Sequence, residues 1–412
     1  MPAIGDSEGV HAHDGRNRDR QWLTLPGRKK VLAVVHTVPY GKRLSEIVGL
    51  LAQDFRIQLL FTAPPHELGD GASRYLHDLG GPVLPWDEAL RLEYDLVLAA
   101  GPRGMGEVRG PVVTVPHGAS YLKRRAGASR THVYGLGPSD ILLGEDRRPP
   151  AAVVLPHAGD LRQLERSCPE AVPVATVVGD PVYDRIAASL PGRERYRTAL
   201  GLLPDEELVT VVSTWGPHSS FGGIETLMPR LLSELALPGQ RIALLLHPNV
   251  FSGHGSFQVR AWLSRCIDRG IAVVPPQADW RALLVAADAI IGDHGSVTLY
   301  GTLTEAPILL AASPSQEINP DSPAAALALT APALTPGHAL SEQLGYAAAE
   351  YRREEYAAIA SRISSEPGLF ARNMRRLLYL VLGLGQPAHA APTAPLPLPP
   401  RLDTWAERRL TA

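Results

Sequence analysis

The sequence predicts an α/β protein made of two Rossmann-like, doubly wound units that face each other across a cleft. Three observations carry this reading. Continuous apolar runs of strand length recur along the chain, as strands buried on both faces require. Segments with helical spacing of apolar residues separate them, the pattern of parallel strands joined by crossover helices. The length of 412 residues accommodates two such units at ~150 residues per domain.

Residues 1–28 are polar and aperiodic and read as a disordered leader. Order is expected from Val31 to Val35, followed by a helical pattern through Leu44, Ile47, Val48 and Leu51. Further strands are expected at Ile57–Phe61, Leu96–Ala99, Val112–Val115 and Val174–Val178, which completes a first unit over 29–186. The polar region Arg185 to Glu207 reads as the hinge. A second unit, 187–365, has strand candidates at Leu208–Val212, Ile242–Leu246, Ile271–Val274, Ala289–Ile291 and Ile308–Leu310, with helical patterns at Leu227–Leu235 and Trp280–Ala286. The stretch His338 to Leu382 is helical, and its last part, 366–385, has an apolar face expected to return to the first unit. Residues 386–412, rich in Pro and Ala up to Pro400, read as an extended and dispensable tail.

Composition excludes several classes. Apolar residues make up 45% and charged residues 20%, values of a globular chain. With 40 basic and 42 acidic residues the net charge is −2, which offers no field for nonspecific nucleic-acid binding. Cys168 and Cys266 form no CxxC pair, so neither a disulfide scaffold nor a cysteine zinc site is indicated. No apolar run has the length of a membrane span and the start has no secretory pattern, so a cytoplasmic location is expected. Oligomeric state stays open.

Ligands of open α/β sheets sit beyond the carboxyl ends of strands. Five such ends carry unusual groups. Pro116-His117-Gly118 holds a histidine whose unperturbed pKa of ~6.5 suits proton abstraction from a hydroxyl, although a turn histidine bonded to backbone fits equally. Gly179-Asp180-Pro181 with Asp184 is explained by turn chemistry. Thr214 and Trp215 offer a hydroxyl for phosphate and a ring for stacking, or simply fill the floor between the units. His247 can donate to phosphate oxygens or be a satisfied core histidine. In Asp293-His294-Gly295-Ser296 a strand runs through a Gly/Ser turn into a helix, the geometry of an anion site and also of an ordinary N-cap.

Other signals are missing. There is no P-loop GxxxxGK[ST], no GxGxxG after the first strand, no HExxH and no Asp-x-Asp metal pair. The single HxH (His11, His13) and the single GxSxG (Gly5 to Gly9) lie in the leader. No metal site and no cofactor are expected.

In order along the chain, Pro116-His117-Gly118 with Lys123, Gly179-x-Pro181-x-x-Asp184, Thr214-Trp215, His247-Pro248 and Asp288 to Ser296 resemble the CDP-glycerol glycerophosphotransferase family, the teichoic-acid polymerases. The resemblance implies a GT-B fold and a metal-independent transferase. It would move a glycosyl or alditol-phosphate group from a CDP- or UDP-linked donor to a hydroxyl or amine acceptor. The first unit would then hold acceptor and the second nucleotide. His117 would be the base and His247 a second catalytic group. Thr214, Trp215, Asp293, His294, Gly295 and Ser296 would hold nucleotide and phosphate, supported by Gly118, Gly179 and Asp184. Two family arginines are replaced, by Val182 and Gly216, and the basic stretch Lys123-Arg124-Arg125 is short for docking on a membrane. A UDP-sugar 2-epimerase-like enzyme and a degenerate GT-B nucleotide-binding module remain alternatives.

Overall fold

The computed structural model describes residues 25–68, 70–119, 121–124 and 133–406. The expected leader, apart from residues 25–28, lies outside these residues, as do the HxH and GxSxG sequences and Arg125.

Twelve strands among the described residues form two all-parallel sheets. The first sheet has the order β3-β2-β1-β4-β5-β6-β7, with β1 at Lys29–Val34, β2 at Ile57–Thr62, β3 at Val83–Leu84, β4 at Leu96–Ala99, β5 at Val112–Thr114, β6 at Ala152–Leu155 and β7 at Ala175–Val177. The second has the order β10-β9-β8-β11-β12, with β8 at Glu207–Ser213, β9 at Gln240–Leu246, β10 at Ala272–Val273, β11 at Ala289–Gly292 and β12 at Ile308–Leu310. The continuous apolar runs are the central strands. Val31, Leu32, Leu96, Val97 and Leu98 are all fully buried because helices cover both faces of the sheet.

Between the sheets, the region expected as a polar hinge is mostly helix: Pro181–Ser189 and Arg193–Leu200. Arg197 Nη1 lies 2.6 Å and Arg193 Nη2 2.5 Å from the Asp288 carboxylate, which also accepts the Leu208 N–H at 2.7 Å. The connection is therefore pinned to the second sheet. Asp288, at the amino end of β11, is structural and stands at the opposite edge from any ligand crevice.

The Phe370–Leu382 helix shares a hydrophobic cluster with Val31, Ala33, Leu96 and Leu98 of the first sheet, through Met374, Leu378 and Leu382. Asp184 caps it, accepting the Gly368 N–H at 2.7 Å and the Phe370 N–H at 3.0 Å. The following segment corrects the expectation of a dispensable tail. It is extended, but Leu396, Leu402 and Trp405 are buried in the core of the second unit with Tyr196 and Leu200. Tyr196 donates to the Leu396 carbonyl at 2.8 Å, and the Leu396 N–H donates to Ser189 Oγ at 2.9 Å. Prolines hold this strap extended before it docks, which lowers the entropy lost on ordering. Each large apolar side chain contributes ~1.5–3 kcal/mol on burial. Truncation after Gly385 is expected to lower the thermal midpoint by roughly 5 °C or more. An unchanged midpoint in differential scanning calorimetry would return the segment to a passive tail.

Candidate active site

In each sheet the crevice beyond the carboxyl edge lies where strand order reverses. That point falls between β1 and β4 in the first sheet and between β8 and β11 in the second. The segments leaving β8 and β11 are Thr214-Trp215 and Asp293 to Ser296.

Asp293 organises the second edge. It is 1% exposed. Its Oδ2 accepts the N–H groups of Thr214 and Ser220, each at 2.9 Å, and its Oδ1 accepts the Gly295 N–H at 3.0 Å. The carboxylate thus ties the loop after β8 to the turn after β11. Asp293 and the Gly295 amide, both expected at a phosphate, are hydrogen-bonded to each other. A Cβ on Gly295 would stand 2.9 Å from Thr214 Cβ, so only glycine lets turn and loop touch. Ser296 opens a helix of five residues, Ser296–Tyr300, too short to build the dipole of a full helix. Its Oγ meets the other unit directly, since a Cβ on Gly118 would lie 2.6 Å from it.

His294 is also buried, and its Nε2 lies 3.2 Å from Glu317 Oε2, while His218 Nδ1 contacts Glu317 Oε1. Burial lowers the His294 pKa despite Asp293 and Glu317 beside it. Its side chain is turned toward Glu317 and His218 rather than toward Trp215.

Lys123 is the cation the sequence reading named without giving it a role. The segment 121–124 crosses from the first unit to the second: the Arg124 N–H donates to the Glu317 carbonyl at 2.9 Å and the Asn319 N–H to the Leu122 carbonyl at 2.7 Å. This pairing carries Lys123 Nζ to 3.4 Å from Thr214 Oγ1 and 5.7 Å from the Trp215 ring centroid. Desolvation lowers its pKa, against the pull of Asp293 and Glu317. Trp215 is 47% exposed, so its ring offers a free face, and it stands 6.3 Å from the His247 ring. Gly216 has φ +101 with open space where a Cβ would stand, a left-handed conformation that favours glycine. Val182 donates its N–H to Asp180 Oδ1 at 2.8 Å.

His247 caps the Pro248–His254 helix, its Nδ1 accepting the Asn249 N–H at 3.1 Å. Burial first, then Lys123, His117 and Lys42, push its pKa down to about 3. The ring is neutral, and because Nδ1 accepts, Nε2 carries the proton. His247 is thus an N–H donor and cannot act as a charge.

His117 enters from the end of β5 and is exposed to the cleft. Desolvation, Arg43 and Lys123 lower its pKa, opposed by a hydrogen bond with the Ala100 carbonyl. A ring that donates one N–H to a carbonyl keeps a lone pair on its other nitrogen, as a general base needs. Tyr40 stacks beside it with centroids 4.6 Å apart.

A buried triad holds this loop. Arg43 donates to Asp180 Oδ2, to the Gly118 carbonyl and to Tyr300 Oη, each at 3.1 Å, and Tyr300 donates to Asp180 Oδ2 at 2.9 Å. The three residues come from the Val38–Val48 helix, the start of the Pro181–Ser189 helix and the second unit. Gly179 and Asp184 belong to this frame. Gly179, at φ +95, has room for no side chain against Glu366, and Asp184 caps the Phe370–Leu382 helix. The structure brings His117, Lys123, Thr214, Trp215 and His247 close together. Tyr40 and Arg43 escape a reading confined to later strand ends. Their signal is the run His36-Thr37-Val38-Pro39-Tyr40-Gly41-Lys42-Arg43 after β1.

Among the described residues no group of three or more His, Cys, Asp or Glu side chains is arranged to hold a metal ion, and no helix is long and apolar enough to cross a membrane. No protein-family model matches the chain, and no curated protein matches it. Solved structures do. The wall teichoic acid polymerase TagF, as a His-to-Asn variant soaked with CDPG, is similar over 87% of this chain and 89% of its own, with 13% identity and a TM-score of 0.59. TagF without that substitution matches at 14% identity and TM-score 0.53, over 87% of this chain and 88% of its own. Anabaena Alr3699/HepE in complex with UDP-glucose is similar over 86% of this chain and 99% of its own, at 15% identity and TM-score 0.46. Two facing parallel sheets and the likeness to TagF give the chain a GT-B fold.

Proposed function

We propose that the protein is a metal-independent transferase that takes a glycosyl or alditol-phosphate group from a CDP- or UDP-linked donor. The observation that carries this reading is the convergence of Lys123, Thr214, Trp215 and His247 on the crevice that His117 enters from the opposite sheet. Trp215 stacks on the base or ribose. Lys123 and the His247 Nε2–H meet the diphosphate, charge against charge and donor against acceptor. His117 takes the proton of the acceptor hydroxyl as its oxygen bonds to the transferred group. The bond from that group to the nucleotide breaks, and its electron pair stays on the departing phosphate. TagF, the structural neighbour soaked with CDPG, supports a cytidine-linked donor as the first to try.

The test is a thermal-shift panel of CDP-, UDP-, GDP- and dTDP-linked donors on the full chain. A ligand at ~100 times its dissociation constant stabilises by ~2.7 kcal/mol. Lys123→Ala and His247→Ala should each weaken binding of the stabilising nucleotide by ~1.5–3 kcal/mol, the range for hydrogen bonds to charged groups. Absence of any nucleotide-dependent shift would overturn the reading. Epimerised product formed without acceptor would replace it with a 2-epimerase.

A further inference from the structure

The carboxyl edge of the first sheet holds a second cluster that the nucleotide site leaves unused. His36, at the end of β1, is 1% exposed. Its Nε2 lies 2.8 Å from the Arg103 carbonyl. Burial, helped by the charges of His66 and Arg103, pushes its pKa down to about 4, so the ring is neutral with its proton on Nε2. The Nδ1 lone pair is buried with no partner.

Rings continue outward from it. His36 stands 6.0 Å from His66 and 5.7 Å from Tyr40, Tyr40 stands 4.6 Å from His117, and His117 stands 6.3 Å from Tyr134. Burial first, and Tyr134 beside it, raise the Tyr40 phenol pKa, so its hydroxyl stays protonated. Tyr134 is 45% exposed. Arg103 is exposed, and its guanidinium has no ion pair among the described residues.

We propose that Tyr40, Tyr134 and Arg103 form the acceptor subsite, and that the acceptor is a pyranose carrying an anionic substituent. The inference rests on His117 being the transferase base. Tyr40, packed on His117, backs the imidazole that the sugar hydroxyls reach. Tyr134, exposed and edge-on to His117, offers its ring to the apolar C–H face of the sugar. An open-chain polyol has no such face. The unpaired planar fork of Arg103 matches a carboxylate or phosphate with two parallel hydrogen bonds. The phenol hydroxyls supply the remaining polar contacts at ring height.

The experiment is calorimetric titration of the full chain with glucose 6-phosphate, glucuronate, glycerol 3-phosphate and inorganic phosphate. One of the two anionic pyranoses should bind about tenfold more tightly than glycerol 3-phosphate and phosphate, and which one wins identifies the anionic group. Arg103→Gln and Tyr134→Ala, both at exposed positions, should each weaken that binding about tenfold or more, with CDP and UDP affinities unchanged. Equal affinity for glycerol 3-phosphate, no binding of either pyranose, or binding indifferent to both substitutions would overturn the subsite. If nucleotide still binds in a Lys123-dependent way, the subsite falls alone. Loss of nucleotide binding removes the transferase reading instead.

Discussion

Replacement of His117 by alanine is expected to lower the single-turnover rate ~10²–10⁴-fold, the range for loss of a general base. Nucleotide affinity should stay within about twofold, because Trp215 and His247, from the other sheet, and Lys123 carry that contact. The pH profile gives a sharper result. The neutral ring is the active form, so activity is lost as pH falls through its pKa. In the free enzyme that pKa is lowered by desolvation, Arg43 and Lys123. The acidic limb of kcat/KM, which reports the free enzyme, should therefore lie below the ~6.5 of an ordinary imidazole. A bound diphosphate offsets Lys123 and favours the protonated ring, so the limb of kcat should lie at higher pH. Coincident limbs would mean that the donor phosphates do not reach Lys123. Unchanged turnover in a folded His117→Ala protein would remove the base and leave a nucleotide-binding module.

The strands were legible because burial on both faces leaves continuous apolar runs that a single sequence displays. Two were not. β3 has only two residues, too few for a pattern, and β6 follows Pro149-Pro150, which reads as a turn. At the site, residue type and strand-end position pointed to His117, Trp215 and His247. They did not show which way a side chain turns. Asp293 and Ser296 stand in one short motif, yet the first is bonded to backbone amides and the second touches the facing unit. That difference depends on a carboxylate completing hydrogen bonds between two loops ~80 residues apart, which spacing does not encode. Lys123 illustrates the converse. Its reach to Thr214 depends on the pairing of 121–124 with 317–319, a contact between units that no local pattern announces.

The largest stability effect is expected at Asp180. Its side chain and that of Arg43 are 0% and 4% exposed. Burial alone would lower the Arg43 pKa, but Asp180 and Tyr300 more than offset it and raise it, so the guanidinium is charged at every working pH. Removing the carboxylate leaves that charge buried and unpaired, which costs ~3–5 kcal/mol. Asp180 Oδ1 also accepts the Val182 and Tyr183 N–H groups, each at 2.8 Å, a helix cap worth ~1 kcal/mol. Asp180→Ala should therefore be the more damaging change, while Asp180→Asn keeps the cap and loses only the ion pair. Replacing both partners, as in Arg43→Met with Asp180→Asn, should recover much of the loss, because no uncompensated charge remains. The check is denaturant unfolding of the four proteins followed by near-ultraviolet circular dichroism. Because Arg43 also holds the Gly118 carbonyl beside His117, the double variant should regain stability without regaining turnover. If Asp180→Ala unfolds at the wild-type midpoint, the triad does not lock the two units. Recovery of both stability and rate in the double variant would show that the His117 loop is placed by other contacts.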